Sequence, residues 1–573
     1  MKRLETGGGW IDRSRPLSFR FDGASLQGFD GDTLASALLA NGIRAGFRSP
    51  IAGRPRGVMT DGDEEPNALV AVLEPWSDPI TSATSVPLVD GLLAEARAGV
   101  ADLGDGRLAP GRPRARHRHR HVETVVVGGG PAGMQAARDA LGDGRVVVLE
   151  SRAMLGAFAP ADDDAEILTD TRALGVYDDG FVVALEDGDR ETLWHIRARR
   201  VVLATGATER PLAFAGNDLP GVMLAGAARR YAERYGVLAG SRAVAFVTND
   251  DGSSAARRVA DEGVELVEIV DVRDGTLLIA AEGDGVVERV SIRDADGTER
   301  RVEADLVLVS GGWNPNLGLW RSIGGGLRYD DARATFVADG RGPSWLDIVG
   351  AAAGEVPVAA PFWWVHDGDD ASKFVDLQRD QTVADVRAAV DAGLRSVEHV
   401  KRATYIGTAV DQGRTSGVVA AEIVNALLGE SPGWQGPSNA RPPTVPVSFA
   451  TVAGPYRGDL LDPIRTTPMH GWHLEHGAVF EDVGQWKRPW FFPRDGEDLD
   501  AAVARECLAV RNGVGLLDAS TLGKIEVVGR DAGAFLDRMY TNRMSNLAVG
   551  SIRYGLMLGL DGMVLDDGVA MRL

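Results

Sequence analysis

The clearest chemistry in this 573-residue chain is carried by a few glycines and one acid: Gly128, Gly129, Gly130 and Gly133, then Glu150. They spell GxGxxG, with the acid about twenty residues on, and each position has a physical job in holding a dinucleotide. The first glycine permits a tight turn and the second lets backbone approach a pyrophosphate. The third packs a helix against a strand, so that the helix N-terminus aims its unpaired N–H groups at negative charge. Glu150 can accept from ribose hydroxyls and disfavours a 2′-phosphate. A later turn of the same kind, at Asp250 and Asp251, has carboxylates where phosphate would sit. Like charges there oppose binding, so that unit reads as architecture.

The elements that must position these residues can be read around them. Val125 to Val127 is a short buried strand. A helix follows to about Leu141, with Met134, Ala137 and Leu141 inward and Gly142 at its stop, and Arg145 to Leu149 is the second parallel strand. An apolar strand, Arg200 to Leu203, ends in Ala204-Thr205-Gly206. A second βαβ begins at Ala243, a β-meander runs over about Leu277 to Val302, and LDIVGAAAGE closes the outer fold. From Phe362 to Val418 the rhythm changes to helices, with Val383, Val386 and Val390 in a stripe and Gly393 as a cap; His399 and Lys401 there read as surface or satisfied core residues. Near the N-terminus, Leu17 to Asp30 alternates as a hairpin, and Thr33 caps a helix through about Leu39. Ala101 to His121 reads as a linker; in its terminal ARHRHRH the interleaved arginines would repel a metal, so a solvated basic linker is expected. Pro442, Pro443 and Pro446 mark a linker into a last domain.

The net charge of −21 argues against nucleic acid and anionic membranes as general partners. Cys507 is the only cysteine, which excludes an intrachain disulfide, a CxxC redox pair and an all-cysteine metal site. No apolar run approaches the roughly 18 residues that span a bilayer, and the start lacks the apolar core of a secretory signal. A cytoplasmic location is expected.

RPLSFRFDG, GDTLASALLANGIRA and RPRGVMTDGDEEPNALV resemble the two-iron ferredoxin-like domain of multi-subunit amine oxidases. The loop GFRSPIAGRPRG has no cysteine where cluster-bearing relatives have theirs, so a cluster-free scaffold is expected. The strand ending in ATG, with ERPLAFAGNDLPGVMLAGAA, resembles two-dinucleotide-binding flavoproteins. VDLQRDQT and RSVEHVKR, with the preceding domains, resemble the alpha subunits of heterotetrameric sarcosine oxidases. TPMHGWHLEHGAVFEDVGQWKRPWFF and YGLMLGLDGMVLDDGV are similar to the folate-dependent aminomethyltransferase (T-protein) family, whose domain continues well beyond the length present here. In that family His470, His473 and His476 match no metal ligands.

These resemblances imply an α/β and α+β multidomain fold. Its parts are a cluster-free ferredoxin-like domain (1–105), a basic linker (106–121), a nested two-dinucleotide FAD/NAD(P)-binding domain (122–425) and the first part of a T-protein-like domain (440–573). The inner dinucleotide unit is expected at about 241–310 and the helical segment at about 370–425. They imply NAD on this chain, FMN shared with a beta subunit, FAD on that subunit, tetrahydrofolate, and beta, gamma and delta partners. Sarcosine would be oxidised on the partner and its one-carbon unit captured by the folate. Gly128, Gly129, Gly130, Gly133, Glu150, Thr205, Gly206 and Tyr554 would bind cofactors. Asp566 matches the acid that attends the folate nitrogen. Two other classes share parts of this pattern: a related amine or opine dehydrogenase subunit, and a non-catalytic NAD-binding assembly subunit.

Overall fold

In a computed structural model the residues described are 2–98, 115–155, 165–188, 190–456, 460 and 462–573. The chain forms two units, Met1–Pro455 and Tyr456–Leu573.

The first unit begins with a five-stranded sheet built on the antiparallel pair Asp12–Phe21 and Ala24–Asp30. The helix Leu34–Ala40 is capped as its sequence predicts: Thr33 accepts from Ser36 N and the Ser36 hydroxyl answers in a capping box. Its buried Leu34 and Leu38 share one apolar core with Phe19, Phe21 and Leu92. That core continues into Tyr231, Ala243, Ala245 and Leu306 of the inner dinucleotide unit, which fixes the N-terminal sheet against it.

The outer dinucleotide sheet has seven strands. At its centre Arg116–Val127, Val146–Leu149 and Thr192–Leu203 run parallel, and Leu346–Ile348 pairs alongside as expected. Both faces are covered at Val125–Val127, Val146–Leu149 and Val201–Leu203, which is why these stretches read as continuous valine and leucine runs. The helix Pro131–Ala140 buries Met134 and Ala137 on the sheet, and Leu141–Asp143 continues it as a single 3₁₀ turn.

The basic tract proves different from the expected linker. Arg116 to His121 is the first half of the long Arg116–Val127 strand, paired in parallel with Thr192–Arg197. Several of its polar side chains find partners. Arg118 and Arg120 lie over the Trp194 ring at 5.5 and 5.0 Å, and His119 stacks on His195 at 4.6 Å. Residues 101–114 of the expected linker lie outside the described residues.

The inner unit is a four-stranded parallel sheet of Val222–Leu224, Leu306–Ser310, Arg242–Val247 and Glu265–Asp271, with the helix Asp250–Asp261 as its crossover. The meander is three antiparallel strands, Leu277–Glu282, Arg289–Arg293 and Glu299–Glu303. Helices Val383–Asp391, Val397–Thr404 and Gly417–Leu427 follow. The proline stretch does not leave this unit: Val445 is buried with Leu174, Leu185 and Leu193, and Thr444 N donates to Leu174 O at 2.8 Å. The division therefore falls after Pro455 rather than near residue 440.

The second unit holds a small sheet of Arg465–Thr466, Trp486–Phe491 and Val479–Val483, the helices His470–Glu475, Leu499–Asn512 and Ala532–Met539, and the hairpin Ile552–Leu558 with Val564–Met571.

Candidate functional site

The glycine loop sits at the C-terminal ends of the parallel strands, where a doubly wound sheet presents its crevice. Gly128 has φ 110°, and a Cβ there would lie 2.2 Å from Ala204 O. At Gly133 a Cβ would lie 1.9 Å from Gly128 O, so helix and loop touch backbone to backbone. Gly130 is different: nothing lies within 4 Å of its Cβ position. It is the N-cap of the Pro131–Ala140 helix, so the open side of the loop is the side where that helix leaves N–H groups unpaired. Two glycines are thus demanded by the protein, and the third is demanded only when a ligand lies against it.

Glu150 is buried at the end of the second strand. One carboxylate oxygen accepts from Gly129 N at 2.8 Å, and the other accepts from Arg152 N at 3.0 Å and the Ser151 hydroxyl at 3.3 Å. Its position is therefore tied to the glycine loop itself. Thr205 and Gly206 form the neighbouring edge of the crevice, and a residue not singled out from the sequence holds them. Asn316 donates through Nδ2 to Thr205 O at 3.0 Å and through its backbone N to Gly206 O at 3.0 Å, while its own O accepts from the Thr205 hydroxyl at 2.8 Å. The GGWNPN turn after an apolar strand was the available signal. Nearby, burial pushes the Glu209 carboxyl up to about 7; one of its oxygens accepts from Gly226 N at 2.8 Å at the start of the Ala225–Tyr235 helix.

At the inner unit the phosphate position is filled by the protein. Asn249 caps the helix by accepting from Gly252 N at 2.8 Å, Asp251 accepts from Trp313 Nε1 at 3.0 Å, and Asp250 pairs with Arg273 at 2.6 Å.

The cysteine-free loop of the N-terminal domain is also engaged. Arg54 grips Asp218 through Nε and Nη2 at 2.6 and 3.0 Å. The buried Arg56 reaches both Asp218 and Asp380, the latter at 2.6 Å, and Asp380 also accepts from Ile51 N and Ala52 N at 2.9 Å.

In the second unit the hairpin is longer than its sequence suggests. The return strand runs Val564–Met571, so Asp566 lies within it, opposite Met557, rather than leaving at its end. Asp566 is exposed. The Tyr554 hydroxyl donates to Asp567, its neighbour, so alternation puts Tyr554 and Asp566 on opposite faces. His473 is buried with Nε2 2.9 Å from Asp518, which also accepts from the Thr467 hydroxyl at 2.7 Å. Hydrogen bonds from Ser520, then His473 and Thr467, hold the Asp518 carboxyl well below the usual range. His476 stacks on Trp472 at 3.8 Å. Among the described residues no three metal-binding side chains converge. Cys507 is exposed.

Three family models match parts of the chain. The 2Fe-2S iron-sulfur cluster binding domain matches residues 14–99, the sarcosine oxidase A3 domain residues 370–455, and the GCVT N-terminal domain residues 469–573. The first does not fit its cluster here, because no thiolate exists in residues 14–99 and the arginine-rich loop is committed to Asp218 and Asp380. Sarcosine oxidase subunit alpha of Corynebacterium sp. (strain P-1) is 43% identical over 98% of this chain and 69% of its own length. That of Rhizobium meliloti (strain 1021) is 34% identical over 99% of this chain and 70% of its own. Among solved structures, the L-proline dehydrogenase from P. horikoshii matches with a TM-score of 0.61 at 22% identity, covering 77% of this chain and 98% of that one; this likeness concerns the fold.

Proposed function

Because this chain belongs to the family of sarcosine oxidase alpha subunits, an oxidoreductase family, we propose that it serves in a complex that demethylates sarcosine to glycine. Oxygen takes the two electrons and leaves as hydrogen peroxide. Tetrahydrofolate takes the one-carbon unit as 5,10-methylenetetrahydrofolate, and without folate that carbon leaves as formaldehyde. The observation that carries the reading is that the likeness runs through every domain, where a shared dinucleotide fold alone would cover only the middle.

The roles of this chain's own residues follow from their placement. NAD is held at the outer site, with its pyrophosphate against Gly130 and the helix N-terminus and its ribose at Glu150; the open side of Gly130 and the loop-tied carboxylate support this. The inner unit takes no nucleotide, since Asn249, Asp250 and Asp251 occupy the phosphate position. The amine pocket and FAD belong to a beta subunit, FMN lies between that subunit and this one, and gamma and delta subunits complete the assembly in the cytoplasm. The flavins supply the two-electron and one-electron chemistry that no side chain of this subunit offers. On the hairpin, Asp566 is an exposed carboxylate able to take the proton that the folate nitrogen loses as it attacks the one-carbon unit.

Sarcosine-dependent peroxide release tests the division of labour. The complex assembled with its partner subunits should release peroxide, and the isolated chain supplied with flavin should not. Peroxide from the isolated chain would overturn the reading.

A further inference from the structure

We propose that the N-terminal domain is the cover of the outer dinucleotide site, and that its tip Asp61-Gly62-Asp63-Glu64 must lift before a dinucleotide enters or leaves. The inference rests on the outer site being the one that binds NAD. It gives a role to a domain that has no thiolate for a cluster.

The tip stands on a fixed base. Glu65 is fully buried, and its carboxylate accepts from Met59 N, Thr60 N, Asn67 N and Ala68 N at 2.6–3.1 Å. Met59 O accepts from Leu224 N at 3.0 Å, Thr60 O from the Tyr231 hydroxyl at 3.0 Å, and Glu65 O from Gln378 Nε2 at 3.2 Å. The apolar core of the domain is shared with the inner unit. A swing of the whole domain would break that core, so opening is confined to the tip.

From this base the tip reaches both sides of the crevice. Toward the inner unit, Asp61 accepts from Arg230 Nε and Nη2 at 2.5–2.8 Å and from Arg234 Nη1 at 2.8 Å. Both arginines lie on the Ala225–Tyr235 helix, whose start is held by Glu209. Toward the outer sheet, Asp63 lies 3.6 Å from Arg172. Arg172 directly follows Thr171, whose N donates to Glu150 O at 2.8 Å. Against burial, Arg230, Arg234 and then Arg152 hold the Asp61 carboxyl below its ordinary value. Arg172, Arg414 and, more weakly, Arg152 do the same for Asp63. The acids of the tip thus tie the helix beside Glu209 to the strand beside Glu150.

Two charged groups at the tip stay open. Glu64 enters no ion pair among the described residues; burial pushes its carboxyl up, with Arg414 pulling the other way. Arg414 Nε and Nη2 are buried with no hydrogen-bond partner among the described residues. A ribose hydroxyl and a phosphate oxygen would satisfy such a pair, so the space at the tip suits a polar ligand better than a packed core.

A latched cover sets how fast a ligand exchanges more than how tightly it is held. Rates of association and release of labelled NAD, measured on the full chain, test this. Asp61→Asn weakens the inner latch and Asp63→Asn the outer one. Arg234→Gln removes a single contact of Asp61 at a side chain 16% exposed, and so disturbs folding least. Association and release should both quicken, by tenfold or more in Asp61→Asn and by threefold or more in Arg234→Gln, while Kd moves less than threefold. Faster release at unchanged association would make these residues ligand contacts and overturn the proposal. Unchanged rates in every folded variant, with NAD binding still lost in Gly130→Val, would overturn the cover and keep the dinucleotide reading. NAD binding indifferent to Gly130→Val would overturn that reading and the cover with it.

Discussion

Gly130→Val separates a glycine kept for a ligand from one kept for the fold. The residue has φ −72° and ψ 179°, which any amino acid adopts, and its Cβ position is empty to 4 Å. Without ligand, the variant should lose only what a poor N-cap costs, about 1 kcal/mol. With ligand, the branched side chain stands where the pyrophosphate must approach. If two N–H contacts to phosphate are lost at about 1.5–3 kcal/mol each, affinity falls roughly a hundred- to ten-thousandfold. Gly133→Ala makes the contrast, because its Cβ would lie 1.9 Å from Gly128 O and the folded chain itself must yield. Titration calorimetry with NAD, alongside thermal unfolding without it, reads the two effects apart. Unchanged NAD affinity in Gly130→Val would refute the site. A large loss of stability in the ligand-free variant would refute the argument that the cleft side of the loop is open.

Anaerobically purified protein should contain no stoichiometric iron by elemental analysis and no sulfide-to-iron absorbance; finding both would mean the arginine loop is not what occupies the cluster position. In the assembled complex with a complete folate domain, Asp566→Ala should slow methylenetetrahydrofolate formation by about a hundred- to ten-thousandfold, leave peroxide release intact and let formaldehyde appear, whereas a normal folate rate would reduce Asp566 to a structural residue. Asp376 gives a pH prediction. Burial, then repulsion from Asp411, pushes its carboxyl from 3.8 up to about 6. A raised carboxyl stabilises the fold below its unfolded value and loses that contribution as pH climbs to the folded one, at about 1.4 kcal/mol per pH unit. Denaturant titrations from pH 4 to 6 should show stability falling more steeply in the wild type than in Asp376→Asn, and parallel slopes would exclude the effect.

The glycine loop was legible because its demands are on backbone, and backbone demands select residue types directly. Thr33, the Val125–Val127 strand and the inner carboxylate turn were legible for the same local reason. What escaped was relational. The RHRHRH tract has no apolar face, and only Trp194 and His195 on the neighbouring strand give its side chains a place. Val445 looked like part of a proline linker because its partners, Leu174 and Leu193, lie some 250 residues earlier. On the hairpin, a return strand a few residues longer than expected put Asp566 inside the ladder, and period-two alternation then matched Tyr554 with Asp567. Asn316 stood in a recognisable GGWNPN turn, but the loop it holds, at Thr205, lies 111 residues earlier.

The grip of Arg56 on Asp218 and Asp380 has a consequence for how the chain is made. Arg56 is 0% exposed, so its guanidinium is a cost to the N-terminal domain until its partners exist. Asp218 lies 162 residues downstream and Asp380 lies 324. At about 5–20 residues per second, the ribosome delivers the second partner roughly 15–65 s after Arg56 itself. Through that interval the N-terminal domain cannot close on its own loop. The strands of its sheet are all synthesised early, and its last polar lock arrives only with the helical segment, so the N-terminal domain is finished by the part of the chain synthesised long after it.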